Sequence, residues 1–211
     1  MDTSRRAHIG LAKRERTRAK LLEAAYQVFA AKELDAVTID DIISAAGVAR
    51  GTFYNYFETR EDVLKAVVAS LAEAMNQAVW SESTAIADPA ERMAFAIRQF
   101  LHQAKRDATW GWLIVRIGLV AAPLTATIHQ GVRSDLEAGI QQQRFQVDSV
   151  QAAIDLVMGT GLMAIRSILE GQTPSDYPEQ IAKLILQTLG VAEPEAQAIV
   201  TQTLTPLKHD A

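Results

Sequence analysis

Apolar residues recur at helical spacing along most of this chain, and no segment alternates apolar and polar residues over a useful length. The first apolar stripe predicts a helix from about Arg14 or Arg16 to Lys32. Its members are Leu21, Leu22, Ala25, Val28 and Phe29. Further stripes predict helices that open near Arg60, Pro89, Ala108, Leu124, Val150, Ile181 and Pro194. The pattern therefore predicts an all-α fold.

The connections between the later helices carry proline and small polar residues. The stretch from Ser81 to Asp88 predicts a loop, and Asp88 followed by Pro89 is typical of a helix N-cap with proline in the first turn. Pro123 is expected to break or kink the helix that precedes it.

Two helices near the C-terminus carry more apolar surface than one neighbour can cover. The stripe over residues 150–169 is too wide for a helix that rests on one partner, and Ile181, Leu184, Ile185 and Leu189 form a second apolar edge. Two such helices are what a two-fold four-helix dimer interface needs, so residues of about 150–189 predict a homodimer. The alternative is extra burial within a monomer core.

The stretch from Thr38 to Leu64 predicts two short helices and a tight turn. Thr38 and Asp41 form a capping-box pattern that opens the first helix. Gly47 can adopt the left-handed conformation that ends it, and a second helix is expected from about Arg50 to Phe57. Two helices joined by a short turn that contains glycine are the helix-turn-helix signature, whose second helix lies in the DNA major groove.

The outward residues of that second helix suit DNA reading. If Phe53 and Phe57 face inward, the residues left outside or at the rim are Arg50, Thr52, Tyr54, Asn55 and Tyr56. Arginine can bind guanine bidentately, asparagine can bind adenine, and hydroxyl groups can bind phosphates. Gly51 would let the backbone approach the duplex. The alternative is an ordinary core helix.

Residues 18–64 resemble the DNA-binding module of the TetR family of bacterial transcriptional regulators. The matching positions are Ala24, Ala25, Phe29, Thr38, Ile42, Ala46, Gly47, Val48, Gly51, Thr52, Tyr54, Tyr56, Phe57, Arg60, Glu61 and Leu64. The resemblance implies a phosphate contact for Arg60, dimerisation through the last two long helices, and a helical body that encloses a small-molecule effector. For Arg60 a solvent-facing ion pair is the alternative. Ala49 departs from the family pattern, which commonly has a capping serine there.

Charge is distributed unevenly along the chain. The net charge is −4, yet the first 20 residues hold seven Lys and Arg residues against two acidic ones. A basic arm ahead of a helix-turn-helix predicts contact with phosphates or the minor groove, and a solvated tail is the alternative. The predicted DNA contacts are Arg16, Thr38, Arg50, Gly51, Thr52, Tyr54, Asn55, Tyr56 and Arg60.

The second half is expected to bind an effector whose identity the sequence does not give. We expect a DNA-binding domain over residues 1–64 and a ligand-binding and dimerisation domain over 65–211. The candidate ligand contacts are Met93, Phe100, Trp110, Ile114, Arg116, Met158 and Leu162. The alternative for each of these residues is a place in the hydrophobic core. Arg116 must be paired if it is buried, by an acidic ligand or by a carboxylate such as Asp155 or Glu170.

Several other classes of function find no support in the sequence. It lacks cysteine, its four histidines lie far apart, and it has no glycine-rich phosphate loop or nucleophile beside a base, so we expect no metal, no cofactor and no enzyme. The most apolar run, Trp112 to Leu124, is too short and too interrupted to span a membrane. We expect a cytoplasmic, ligand-responsive, homodimeric repressor that binds a palindromic operator. A helical enzyme, a small-molecule binder and an architectural DNA binder are the alternatives.

Overall fold

The computed structural model of the protein describes residues 2–118, 122–171, 173–205 and 207, with side chains from residue 9 onward except those of 118 and 122–127. These residues form ten α-helices and one short 3₁₀ turn, Leu34–Ala36, and no strand occurs among them, which confirms the all-α prediction. The helices are α1 (Asp2–Ala31), α2 (Ile39–Ala46), α3 (Arg50–Tyr54), α4 (Arg60–Ser83), α5 (Pro89–Arg106), α6 (Ala108–Gly118), α7 (Ala122–Gln141), α8 (Val150–Leu169), α9 (Tyr177–Thr188) and α10 (Glu193–Thr201). They belong to two compact units, which divide within α4 between Ser70 and Leu71.

Helix α1 begins much earlier than the sequence pattern predicted. It starts at Asp2 and not near Arg14 or Arg16, so the basic arm is helical. The apolar stripe begins only at Leu21 because residues 9–16 are exposed and need no apolar face. Residues 2–16 include four arginines and two alanines, residue types with high helix propensity.

The core of the first unit is formed by the inward faces of α1, α2 and α3. Leu21 and Ala25 of α1, Ile42 of α2 and Phe53 of α3 are fully buried, and Phe57 is nearly so. The predicted inward orientation of the two phenylalanines is therefore confirmed. Their burial leaves the opposite side of α3 for solvent or a ligand.

Helix α4 ends later than predicted, at Ser83, so the loop before α5 is shorter than the predicted 81–88. Val79 and Ser83 lie one turn apart and both are buried, and the Ser83 hydroxyl donates to the Trp80 carbonyl oxygen. Packing on this face extends the helix through a segment whose small polar composition favours a loop.

Helix α5 begins as the sequence predicted. The Asp88 side chain accepts a hydrogen bond from the Ala90 amide at 2.9 Å, and Pro89 occupies the first turn. Arg144 binds the same carboxylate through Nε and Nη2, at 3.0 and 2.7 Å, and also binds Glu195 of α10 at 2.7 Å. Burial opposes ionisation of Asp88, but the hydrogen bonds from Arg144 and Ala90 outweigh it, so its pKa is lowered. This cluster joins the start of α5 to α10.

Candidate DNA-binding and effector sites

The start of α2 has the predicted capping box. The Thr38 hydroxyl accepts from the Asp41 amide at 3.2 Å and the Asp41 carboxylate accepts from the Thr38 amide at 3.0 Å. Lys32 binds the same carboxylate at 2.6 Å. Hydrogen bonds from the Lys32 ammonium, the Thr38 amide and the Thr38 hydroxyl, in that order, lower the pKa of Asp41 to about 2. Thr38 thus serves as a helix cap, and its contact with DNA stays a prediction.

Helix α3 is shorter than predicted. Gly47 adopts the expected left-handed conformation, with φ at 57°, and α3 then runs from Arg50 to Tyr54 instead of to Phe57. The Tyr56 amide bonds to the Phe53 carbonyl at 2.9 Å, a three-residue spacing that tightens the final turn. The Ala49 side chain has no polar atom and does not cap α3, as its departure from the family pattern implied.

The exposed side of α3 carries the predicted base-reading residues. Arg50, Gly51, Tyr54 and Asn55 are exposed, and Thr52 is half-buried. A Cβ atom added to Gly51 would meet no atom within 4 Å, so the backbone there is open to a ligand. The structure thus has the exposed surface that a helix-turn-helix needs to bind DNA. The individual base contacts stay predictions.

Arg50 is held by two neighbours. Its Nη1 donates to the Asp40 carboxylate of α2 at 2.8 Å, and its guanidinium carbon lies 6.0 Å from the ring centroid of Tyr54. A hydrogen bond with Tyr54 and the charge of Asp40 raise the pKa of Arg50 above its usual value. Asp40 was not among the residues predicted from the sequence, because no local pattern links it to Arg50, ten positions later on the next helix.

The Arg60 side chain contacts other residues of its own compact unit and extends little into solvent. Its Nη1 donates to the Leu34 carbonyl oxygen at 2.6 Å, and Nη2 lies 3.0 Å from Glu61 and 4.0 Å from Asp35. About a fifth of the side chain is exposed, at 21%. Glu61 and Asp35 are themselves exposed, at 58% and 74%, so the ion pair that was the alternative for Arg60 is present at the surface. A phosphate contact by Arg60 stays a prediction.

Two basic residues of α1, Arg14 and Arg18, contact the segment that follows α3. The Arg14 guanidinium lies 5.9 Å from the Tyr56 ring centroid and that of Arg18 lies 6.0 Å from the Phe57 ring centroid. Arg16 is exposed. Helix α1 therefore brings positive charge next to α3, which is the distribution that a phosphate backbone attracts.

A cavity of about 620 Å³ lies in the second unit between α4, α5 and α7. Two of the predicted ligand contacts, Met93 and Phe100, line it. Its other lining residues are Asn76, Gln77, Val79, Trp80, Ser83, Thr84, Arg92, Ala96, Ile128, Gln130, Gly131, Val132, Ser134 and Asp135. Eight of these sixteen lining residues are polar or charged, so the lining offers more polar groups than the mostly apolar wall that is usual for a small-molecule site.

The other predicted ligand contacts lie outside that lining. Trp110 and Ile114 are buried, with the Trp110 ring centroid 6.1 Å from that of Phe100, whereas Met158 and Leu162 are half-buried on α8. Arg116 is exposed on α6, so the burial on which its predicted role depended is absent. Glu170, named as a possible partner, pairs with Arg166 at 2.8 Å. Ligand contact by these residues stays a prediction.

Arg92 and Asp135 form an ion pair in the cavity lining, and the sequence pattern predicted neither of them. Arg92 Nε donates to Asp135 at 2.8 Å, and its Nη1 donates to the carbonyl oxygens of Ile86 and Ala87 at 2.9 and 3.0 Å. Burial raises the pKa of Asp135, and the hydrogen bond and charge of Arg92 offset this effect only in part. The two residues lie 43 positions apart on different helices, so no local pattern marks them.

An apolar surface extends over α8 and α9, within the range predicted for dimerisation. Leu156 and Met163 of α8 and Leu184 of α9 are exposed, and a Cβ atom added to Gly159 or Gly161 would meet nothing within 4 Å. Among the described residues, α8 is also the one helix whose length and composition would allow it to cross a membrane. Core helices of soluble proteins pass the same test. A dimer interface at α8 and α9 stays a prediction, and it would cover this apolar excess.

Two family descriptions match most of the chain. Residues 21–67 match "Bacterial regulatory proteins, tetR family", and residues 88–202 match "Tetracyclin repressor-like, C-terminal domain".

No group of three or more potential metal ligands occurs among the described residues.

Solved structures and curated regulators resemble the chain over different lengths. The crystal structure of RolR in complex with resorcinol has 30% identity and a TM-score of 0.78, covering 94% of this chain and 100% of that one. FadR from Bacillus subtilis in complex with stearoyl-CoA, at 19% identity and a TM-score of 0.68, covers 83% and 98% and shares the fold. The transcriptional regulator TtgR of Pseudomonas putida is 27% identical over 82% of this chain and 75% of its own length.

Some curated relatives match over only a short part of their length. The uncharacterised regulator YvdT of Bacillus subtilis is 42% identical over 52 residues, which span 25% of this chain and 27% of YvdT. The higher identity is thus found over a short segment, and the longer match to TtgR has a lower identity. The two family matches together cover the helix-turn-helix and the helical body, and the chain belongs to the TetR family of bacterial transcriptional regulators.

Proposed function

We propose that the protein is a cytoplasmic homodimeric repressor that binds a palindromic operator and responds to a small molecule. The exposed side of α3, which carries Arg50, Tyr54 and Asn55, is the observation that carries the DNA-binding part of the proposal. The apolar surface of α8 and α9 supports a two-fold dimer, which would match two half-sites about one helical turn, or ~34 Å, apart.

Selection of bound duplexes from a random library by the purified protein tests this function. We expect enrichment of an inverted repeat at salt near physiological, since a two-fold dimer presents the same reading helix twice. Protein that is folded and free of ligand but enriches no sequence would favour an architectural DNA binder. Activity on a small-molecule substrate would favour an enzyme instead.

Arg50→Ala is expected to weaken operator binding by about 1–3 kcal/mol per half-site and to relax the preference at one base pair. The physical reason is the loss of a bidentate contact with a guanine edge. Affinities for the operator and for a set of single-base variants measure both effects. A loss of equal size on every duplex would show that Arg50 contacts phosphate only.

The effector site is proposed to be the cavity between α4, α5 and α7. RolR, which resembles this chain over nearly its whole length, was solved with resorcinol, a small aromatic molecule with two hydroxyl groups. Phe100 and Met93 offer an apolar wall for an aromatic ring, and Asp135 offers carboxylate oxygens that only accept hydrogen bonds. Because Arg92 already balances the charge of Asp135, an uncharged ligand with a hydroxyl donor suits the site best.

Asp135→Asn is expected to weaken binding of such a phenol about tenfold, because a charged acceptor forms the stronger hydrogen bond. Calorimetry with resorcinol and with other uncharged phenols as probes measures the affinity, and release of operator DNA reports the response. Glu137→Gln is the matched control, since Glu137 lies on the same helix and does not line the cavity. Equal affinity of the wild type and Asp135→Asn would exclude the carboxylate as the polar contact.

A further inference from the structure

We propose that Asp40 is a positioning residue for DNA reading, because its carboxylate holds the Arg50 guanidinium in the orientation that reads a guanine. The proposal rests on the proposed function, in which Arg50 contacts a base. It concerns a residue of α2, the helix before the reading helix, and it predicts an effect of that residue on base preference.

The pair joins the two helices of the helix-turn-helix at the end that meets DNA. Asp40 is in the first turn of α2 and Arg50 is the first residue of α3. Oδ1 of Asp40 lies 2.8 Å from Nη1 of Arg50. In helix-turn-helix proteins the N-terminal residues of the second helix contact base edges. Both side chains are well exposed, 61% for Arg50 and 69% for Asp40, so the ion pair lies on the surface.

A second contact fixes the other side of the guanidinium. Tyr54 lies four positions after Arg50, and its ring centroid is 6.0 Å from the Arg50 guanidinium carbon. Arg50 is therefore held between a carboxylate on α2 and an aromatic ring on its own helix. An arginine side chain is long and flexible, so two restraints reduce the conformational freedom that it would otherwise lose on binding a base.

The hydrogen bond to Asp40 leaves the donors that guanine requires. A guanidinium group has five N–H donors, and Asp40 accepts from Nη1. Asp40 does not occupy Nε or Nη2, and the edge that these two atoms form matches the O6 and N7 acceptors of guanine in the major groove. A guanine that binds this edge replaces any hydrogen bond that Tyr54 accepts there. The same carboxylate would compete with a phosphate group for Arg50, so the arrangement favours a base contact.

The charge of Asp40 has an opposite effect on general affinity. A carboxylate on the DNA-facing side of the protein repels phosphates, and its removal should strengthen binding to every duplex. Positioning of Arg50 should instead act on one base pair only. The two roles therefore predict different changes in discrimination and can be separated by experiment.

The test measures affinities of the full-length protein for the operator enriched from a random library, for its single-base variants and for an unrelated duplex. The proteins are the wild type, Asp40→Asn, Arg50→Ala and the double variant. Glu58→Gln removes the same charge from an exposed position after α3 and is the matched control. Thermal unfolding confirms that each variant is folded.

We expect Asp40→Asn to reduce the preference for guanine at one position per half-site about fivefold, while affinity for the unrelated duplex stays equal or rises. Arg50→Ala should remove the same preference, and Asp40→Asn should then have no further effect on it in the double variant. Glu58→Gln should leave the base preference as in the wild type.

Three results would overturn the inference in different ways. If Arg50→Ala removes the preference and Asp40→Asn does not, Asp40 only repels phosphates, and Arg50 remains the base reader. If the preference survives Arg50→Ala, base reading by Arg50 fails and the positioning role of Asp40 fails with it. An effect of Asp40→Asn on base preference that persists without Arg50 would also contradict the proposed route.

Discussion

The double variant Met163→Glu and Leu184→Glu is expected to be monomeric and to bind the operator about a hundredfold more weakly than the wild type, or worse. Both side chains are apolar and 57% exposed on α8 and α9. In a two-fold interface each substitution occurs twice, so four carboxylates would be buried without partners. A monomer reads one half-site and loses the gain in affinity that comes from linking two reading helices.

Sedimentation or light scattering gives the oligomeric state, and titration with the operator gives the affinity. Because Met163 and Leu184 are exposed, each unit should keep its helical content, which circular dichroism checks. Ile9→Glu is the matched control for assembly, since Ile9 is 61% exposed but lies on α1. A double variant that remains a dimer would place the interface elsewhere.

The parts of the fold that the sequence predicted well are those coded by short-range chemistry. The capping box at Thr38, the left-handed Gly47 and the cap at Asp88 each depend on residues within three or four positions of one another. Such contacts form whatever the rest of the chain does, so their sequence signals could be read directly.

Helix ends were predicted less well because packing and composition compete there. Helix α1 extends to Asp2 with no apolar stripe to mark it, and α4 continues to Ser83 because one buried face holds a segment of loop-like composition. A periodic pattern reports which residues are buried, and a helix can continue beyond them.

The candidate sites show the same difference between short-range and long-range contacts. The outward set could be predicted because it lies within seven consecutive positions, Arg50 to Tyr56, on α3 and directly after it. The Arg92–Asp135 pair, which joins two helices across the cavity, could not. The contacts of Arg60 with Leu34, Glu61 and Asp35 could not be predicted from the family resemblance, and its phosphate contact stays a prediction.

Gly139 on α7 shows how the second unit depends on one close approach. A Cβ atom added there would lie 2.8 Å from Cγ of Phe145 and closer still to Cδ2 and Cε2 of the same ring. The Gly139 carbonyl oxygen also accepts from the amides of Arg144 and Phe145, at 2.7 and 3.1 Å. The chain after α7 therefore folds back over Gly139, and the buried ring of Phe145 occupies the space of the missing side chain.

Gly139→Ala is expected to lower the free energy of unfolding by about 1–2 kcal/mol. A clash with a buried ring should cost about 2–3 kcal/mol, in the upper part of the usual range for overpacking, and alanine returns somewhat under ~1 kcal/mol of helix propensity. Chemical unfolding at fixed protein concentration measures it. Gly10→Ala is the control, because nothing lies within 4 Å of a Cβ there and the helix should gain stability. In a Phe145→Ala background, Gly139→Ala should cost nothing further, since the ring that it displaces is gone. A cost that persists in that background would mean that alanine disturbs the helix itself, and unaltered stability of the single variant would show that the ring can move aside.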